Sequence, residues 1–190
     1  VKFIPNSALI TIISFYKIIF VKDFQSLISS YRDFPRKGVI FRDLLGIMQD
    51  PEAFKELIYM MSEDEIIKKC EAIASIDARG FIFGSAIAIR SSKPMIVLRK
   101  PGKLPGELIT SNYELEYGKN SLSIQKSSIK KYSSFAIVDD LLATGGTANC
   151  AYSLFNSLDK KVTGLSVVAE LRDLNARQRL KMDVVSQIKI

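Results

Sequence analysis

From Lys22 to Ile190 the chain alternates between apolar positions at helical spacing and short continuous apolar runs. The stretch VKDFQSLISSY (21–31) has helical spacing, and DPEAFKELIYMM (50–61) predicts a helix with Asp50 as N-cap and Pro51 at its first position. The run AIASI (72–76) reads as a strand before Asp77, and RGFIFGSAIAIR (79–90) as the helix after it. PMIVL (94–98), FAIV (135–138) and VTGLSVVAEL (162–171) are continuous runs rich in β-branched residues, the pattern of strands buried on both faces of a parallel sheet. Strands alternating with helices predict an α/β domain. Arg99 to Gly118, with Pro101, Gly102, Pro105 and Gly106 and no strong apolar period, reads as a long loop, and long loops are usually functional or mobile.

The N-terminus breaks the pattern. ALITIISFYKIIFV (8–21) is apolar apart from Lys17, yet shorter than the roughly 20 apolar residues a bilayer crossing needs. No small-x-small cleavage site follows it, which argues against a signal peptide. Residues 1–21 are therefore set apart as an apolar extension ahead of a domain spanning 22–190, the alternatives being a fragment, an upstream start, or a helix packed on the domain or a partner chain.

Composition narrows the chemistry. A chain of 190 residues with 47% apolar content can bury a full core, so one domain is expected. Histidine is absent, which removes a Ser-His-Asp triad, a Cys-His pair and every histidine-ligated metal site. Any acid, base or ligand must be a carboxylate, Tyr, Lys or backbone group. Cys70 and Cys150 form no C-x-x-C pattern and fit reduced thiols in the cytoplasm. The net charge of +7 is scattered and accompanied by no nucleic-acid reader motif, so it suits a small polyanion; neither a nucleic acid nor a membrane is expected as partner.

One stretch asks for a ligand. In FAIVDDLLATGGT (135–147) a buried strand delivers Asp139 and Asp140 at its carboxyl end, where open α/β sheets bind ligands. Successive side chains alternate in direction, so one aspartate can meet a polyol while the other orients it. Ala143, Thr144, Gly145, Gly146 and Thr147 then form a loop whose glycines permit close backbone approach to an anion, ahead of a helix N-terminus supplied by TANCAYSLFNSL (147–158). Vicinal hydroxyls against carboxylates and a monophosphate in a glycine loop together describe a ribose 5-phosphate. An Asp-Asp pair alone would more often cap a turn, but no Walker lysine or G-x-G-x-x-G competes with the combined pattern.

This stretch resembles the phosphoribosyl pyrophosphate signature of the type I phosphoribosyltransferases. DFPRKGVIFRD (33–43), IDARGFIFG (76–84), RKPGKLPGE (99–107) and YELEYG (113–118), in that order, narrow the resemblance to the adenine phosphoribosyltransferase family over roughly Lys22 to Ile190. It implies a central parallel sheet flanked by helices, with a small hood and a flexible catalytic loop. It also implies transfer of 5-phosphoribosyl from phosphoribosyl pyrophosphate to adenine, giving AMP and pyrophosphate, in a homodimer, with Mg2+ held mainly by substrate and not by the protein directly. Carried over residue by residue, Phe41 stacks on adenine, Ile40 and Arg42 meet its edge through backbone, and Leu171 is the opposing wall. Arg79, Arg99, Lys100 and Lys103 bind pyrophosphate, with Arg79 also counted as catalytic. Glu116 and Tyr117 supply the closing loop's carboxylate and gating ring.

Plainer readings stand beside these. Phe41 in an apolar run is often core, Arg99, Lys100 and Lys103 can be a solvated loop face, Glu114 reads as an outward strand position, and Gly80 with Gly84 reads as close helix packing. The sequence departs from the family at Ser75, where glycine is usual, at Leu108, where threonine is usual, and at KKYSS (130–134), which replaces a Pro-Gly turn. Two rival functions remain at this level: transfer to another purine base, and a regulator that binds phosphoribosyl pyrophosphate without catalysis.

Overall fold

The computed structural model describes residues 23–115 and 118–190, and side chains throughout these except at 113–120. The expectations for residues 1–21, for Glu116 and Tyr117, and for the side chain of Glu114 lie outside the described residues. The chain divides into two compact units between Gln49 and Asp50.

In the first unit, Asp23 caps a single 3₁₀ turn, Phe24–Leu27, by accepting from the Gln25 amide at 3.1 Å. Strand β1 (Ser29–Arg32) follows and pairs antiparallel with β2 (Ile40–Asp43), Tyr31 opposite Phe41. The helical reading of VKDFQSLISSY therefore holds for one turn only. Ser29 and Ser30 are weak helix formers, and pairing with IFRD recruits them into a strand. The connection between the strands is drawn together by Asp33, whose carboxylate accepts from the Gly38 amide at 2.7 Å, and Phe34 meets Phe41 edge to face at 5.2 Å. A short helix, α1 (Leu45–Gln49), ends this unit.

The second unit opens with α2 (Pro51–Glu63), where the Asp50 carboxylate accepts from the amides of Glu52 and Ala53, both at 3.0 Å, as its sequence predicts. A one-turn α3 (Glu65–Lys68) leads to β3 (Ala72–Ile76), α4 (Gly80–Ser91) and β4 (Met95–Leu98). An antiparallel hairpin, β5 (Leu108–Leu115) and β6 (Gly118–Gln125), precedes the short α5 (Lys126–Ile129). Then come β7 (Ser134–Leu142), α6 (Gly146–Asn156), β8 (Lys161–Glu170) and β9 (Val184–Lys189).

Five strands form one parallel sheet in the order β4-β3-β7-β8-β9. From β3 the chain winds outward to β4, and from β7 it winds the other way to β8 and β9. The reversal falls between β3 and β7, and the crevice beyond their carboxyl ends is where such sheets take ligands. Alternation along β3 sends Ala72, Ala74 and Ile76 into the core shared with Cys150, Ala151, Leu154 and Phe155 of α6, while Ser75 meets Gly84 of α4.

Two readings change. Arg99 to Gly118 is not one long loop: only its first part is irregular, and Leu108 begins the hairpin. Thr110, Ser111 and Asn112 in succession hide the strand period, yet Leu122 and Ile124 of the paired strand are buried in the main core. Strand β7 also runs past Val138 to Leu142. It pairs with β3 only as far as Val138, opposite Ser75, but with β8 through Leu142, opposite Glu170. Asp139 and Asp140 are thus held in the sheet on one side and released on the side where β3 has turned away.

Candidate active site

Three residues, Asp77 to Arg79, connect β3 to α4, and each end of this turn is tied down. The Asp77 amide donates to the Leu98 carbonyl at 2.9 Å, and its carboxylate takes Arg99 Nε at 2.9 Å. Arg99 also donates from Nη1 to the Lys103 carbonyl at 3.1 Å, folding the Pro101-Gly102 segment back on itself, and its guanidinium lies 5.8 Å from the centroid of the Phe81 ring. At the other end Arg79 Nε sits 2.7 Å from Asp140 Oδ2. Among the described residues Oδ2 meets no aligned donor, so the contact is an ion pair and not a hydrogen bond.

A cleft of about 420 Å³ opens above this arrangement, within the usual range for small-molecule sites. Arg79 and Lys100 line it from one side, Asp139 and Asp140 from β7, and Ala143 and Thr147 from the glycine loop. Both aspartates line it. Burial, and then repulsion from the neighbouring Asp140 carboxylate, push the Asp139 carboxyl well above the usual carboxylate range. Gly80, the first residue of α4, makes this packing possible: a Cβ there would come within 2.9 Å of Asp139 Oδ1 and 3.1 Å of the Val138 carbonyl.

The glycine loop lies next to it. Ala143, Thr144, Gly145, Gly146 and Thr147 line a smaller cavity of about 80 Å³ beside Asp139. Gly145 is the N-cap of α6 with φ of 84°, so the amides of the first helical turn open toward the loop. The sequence suggests that glycine is needed here so that backbone can approach an anion. The structure adds a second reason: a Cβ on Gly145 would meet Leu180 Cδ2 at 3.2 Å and Ala176 Cβ at 3.5 Å. Backbone conformation and internal packing require glycine at this position.

Arg79, Lys100, Asp139, Asp140, Ala143 and Thr147 therefore share one cleft, and Thr144, Gly145 and Gly146 adjoin it. Arg99 and Lys103 are not among its lining residues; Arg99 braces Asp77 instead. Ile40, Phe41 and Arg42 make up most of β2 in the first unit, Ile40 exposed and the other two partly so. Leu171, in the second unit, is partly buried, and its amide donates to the Leu142 carbonyl at 2.9 Å. Asp77, Ser121 and Leu122 also line the cleft, although the sequence does not single them out. Asp77 stands within the IDARG turn, whereas Ser121 and Leu122 reach the site only through the hairpin, which carries no residue-level signal.

No family model matches the chain. It is 63% identical over 162 residues to the adenine phosphoribosyltransferase of Prochlorococcus marinus strain MIT 9515, covering 85% of this chain and 95% of that protein. The crystal structure of adenine phosphoribosyltransferase from Thermoanaerobacter pseudethanolicus superposes with a TM-score of 0.82 at 39% identity, over 88% of this chain and 98% of that one. The Saccharomyces cerevisiae enzyme, solved with an imino-altritol bisphosphate and adenine, gives a TM-score of 0.79 at 34% identity, over 87% and 96% of the two chains. With a glycine loop, paired aspartates and an arginine gathered at the switch point of a parallel sheet, and with identity of this extent, the chain belongs to the adenine phosphoribosyltransferase family.

Proposed function

We propose that this protein makes AMP and pyrophosphate from adenine and phosphoribosyl pyrophosphate, a step of purine salvage. The observation that carries the proposal is that Arg79, Lys100, Asp139, Asp140 and, at the start of α6, Thr147 line one cleft. Cations suit a leaving pyrophosphate, carboxylates suit ribose hydroxyls, and a helix N-terminus suits the 5-phosphate. As the bond from C1 to the pyrophosphate oxygen breaks, positive charge grows on the sugar and negative charge on the leaving group. Arg79 and Lys100 oppose the second, and adenine N9 attacks C1 and gives up its proton to the Glu116 carboxylate, which completes the exchange. Base recognition is assigned to Ile40, Phe41 and Arg42, with Leu171 as a further apolar contact, and the closing-loop carboxylate and ring to Glu116 and Tyr117.

A hard cation suits the carboxylate-lined end of the cleft, where Asp77, Asp139 and Asp140 lie. Among the described residues no group of three Cys, Asp or Glu side chains is placed to hold the ion, and we assign it mainly to the substrate's oxygens. Bound there, it would supply charge neutralisation at the leaving group. The homodimer assignment is supported by α4, where Ile82 and Ile89 lie seven residues apart and remain 39% and 82% exposed. Among the described residues no helix is long and apolar enough to cross a membrane, and we place the enzyme in the cytoplasm.

Incubation with phosphoribosyl pyrophosphate, magnesium and each purine base, following nucleotide formation, tests the reading. AMP formation from adenine is expected, with hypoxanthine and guanine turned over far more slowly, because a pocket of paired polar groups rejects the wrong donor pattern. Comparable turnover of hypoxanthine would assign the chain to another base, and binding without turnover would make it a regulator.

A further inference from the structure

Ser75 is entirely buried near the end of β3, and its hydroxyl donates to the Gly80 carbonyl at 2.6 Å. That bond spans the Asp77–Arg79 turn. It fixes the peptide between Gly80 and Phe81, one residue beyond Arg79, while the Arg79 side chain reaches forward to Asp140. On its other side Gly80 is pressed against β7, where a Cβ would lie 3.2 Å from the Asp139 Cα. Gly80 is therefore clamped between the Ser75 hydroxyl and the strand that carries both aspartates. The room for this hydroxyl exists only because residue 84 is glycine: a Cβ on Gly84 would overlap Ser75 Oγ and stand 2.6 Å from Ser75 Cβ.

We propose that Ser75 is a positioning residue for the phosphoribosyl pyrophosphate site, holding Arg79 at the leaving-group end of the cleft through the Gly80 carbonyl; the proposal rests on the function argued above. Asp77 has its own ties, to the Leu98 carbonyl and to Arg99, so loss of the hydroxyl loosens the Arg79 end of the turn selectively. The ligand that meets that end is the pyrophosphate group. Adenine, assigned elsewhere, does not depend on it.

Three variants separate this role from plain packing. Ser75→Ala removes the donor. Ser75→Gly combined with Gly84→Ala also removes it but refills the vacated room from the helix side, so its melting temperature should stay near that of wild type. Gly84→Ala alone, with Ser75 retained, should melt lower. Steady-state kinetics and calorimetric titration with magnesium phosphoribosyl pyrophosphate are run on all. Both hydroxyl-free variants should show KM and Kd for phosphoribosyl pyrophosphate raised about three- to ten-fold, the size of one net hydrogen bond, with KM for adenine unchanged. Wild-type KM and Kd in the Ser75→Gly, Gly84→Ala protein would overturn the proposal, as would equal rises for both substrates, which would mean general loosening. Wild-type protein that binds no phosphoribosyl pyrophosphate would overturn the function itself, a result distinct from either.

Discussion

Arg79 Nε and Asp140 Oδ2 stand 2.7 Å apart across the gap between β3 and β7. The pair joins the two sides of the switch point: the arginine comes from the turn before α4 and the carboxylate from the part of β7 that β3 no longer covers. Asp140 is 5% exposed, and Arg79 is the cation paired with it. A substrate that engages Arg79 must share it with Asp140, which sets the arginine's direction before the ligand arrives.

Asp140→Asn keeps the shape and removes the charge. Arg79 then loses its guide, and affinity for phosphoribosyl pyrophosphate should fall by about ten- to a hundred-fold, the size of one charged hydrogen bond. Arg79→Lys should lose at least as much, since a flexible ammonium cannot reproduce the guanidinium's fixed fork. Calorimetry with the magnesium complex checks both, and wild-type affinity in Asp140→Asn would mean that the pair serves the fold alone.

Asp139 makes stability depend on pH. Its carboxyl is pushed well above the ordinary value of 3.8 by burial first and by Asp140 second. Between that value and the higher native one the folded chain holds a proton that the unfolded chain has released, so stability falls as pH rises through this window. Asp139→Asn cannot ionise. Its melting temperature relative to wild type should climb as pH increases above about 4 and then level off once wild-type Asp139 is ionised in both states. Glu170 runs the other way: hydrogen bonds from Arg177 hold its carboxyl below the usual range, so its contribution is present above pH 4.5 and is lost as pH falls below it. Thermal melts of Asp139→Asn and Glu170→Gln across about pH 3 to 8 should therefore slope in opposite directions.

How much of this is readable in advance follows from where each signal lives. β3, β7 and β8 announce themselves through continuous apolar runs, because a strand covered on both faces has no polar alternation to blur it. β5 and β6 do not, since hydroxyl residues such as Thr110 and Ser123 pair with each other at 2.7 Å inside the hairpin and read as loop residues in the sequence. The glycine loop and the aspartates are legible because their residue order has no packing explanation. The contact Arg99 makes is not legible for the opposite reason: charge beside Pro-Gly looks the same in sequence whether it faces a ligand or braces Asp77. What Gly145 packs against is invisible, because Leu180 and Ala176 come from a distant segment.

Glu116 carries the proton-handling role in the proposal, as a carboxylate in a chain without histidine. Glu116→Gln should lower kcat by about a hundred-fold or more with little change in Kd for phosphoribosyl pyrophosphate. Glu114→Gln is the control and should stay within a few-fold of wild type. Equal losses in both would attribute the effect to the segment's charge.

Gly145 offers the sharpest separation of loop shape from ligand contact. Its φ of 84° lies where a side chain costs about 1 kcal/mol or more, and its missing Cβ faces Leu180 at 3.2 Å. Gly145→Ala should therefore lower the melting temperature and weaken phosphoribosyl pyrophosphate binding together, because the loop must move to relieve both. Leu180→Ala in the same chain relieves the crowding but not the backbone strain. The double variant should still bind more weakly than Leu180→Ala alone, which carries the leucine truncation without the strain. Thr144 is exposed on the same loop, so Thr144→Ala should reduce binding about ten-fold with an unchanged melt. If Gly145→Ala melts lower yet binds like wild type, the left-handed turn serves the packing of residues 176–180 on α6, and the phosphate is held by another part of the loop.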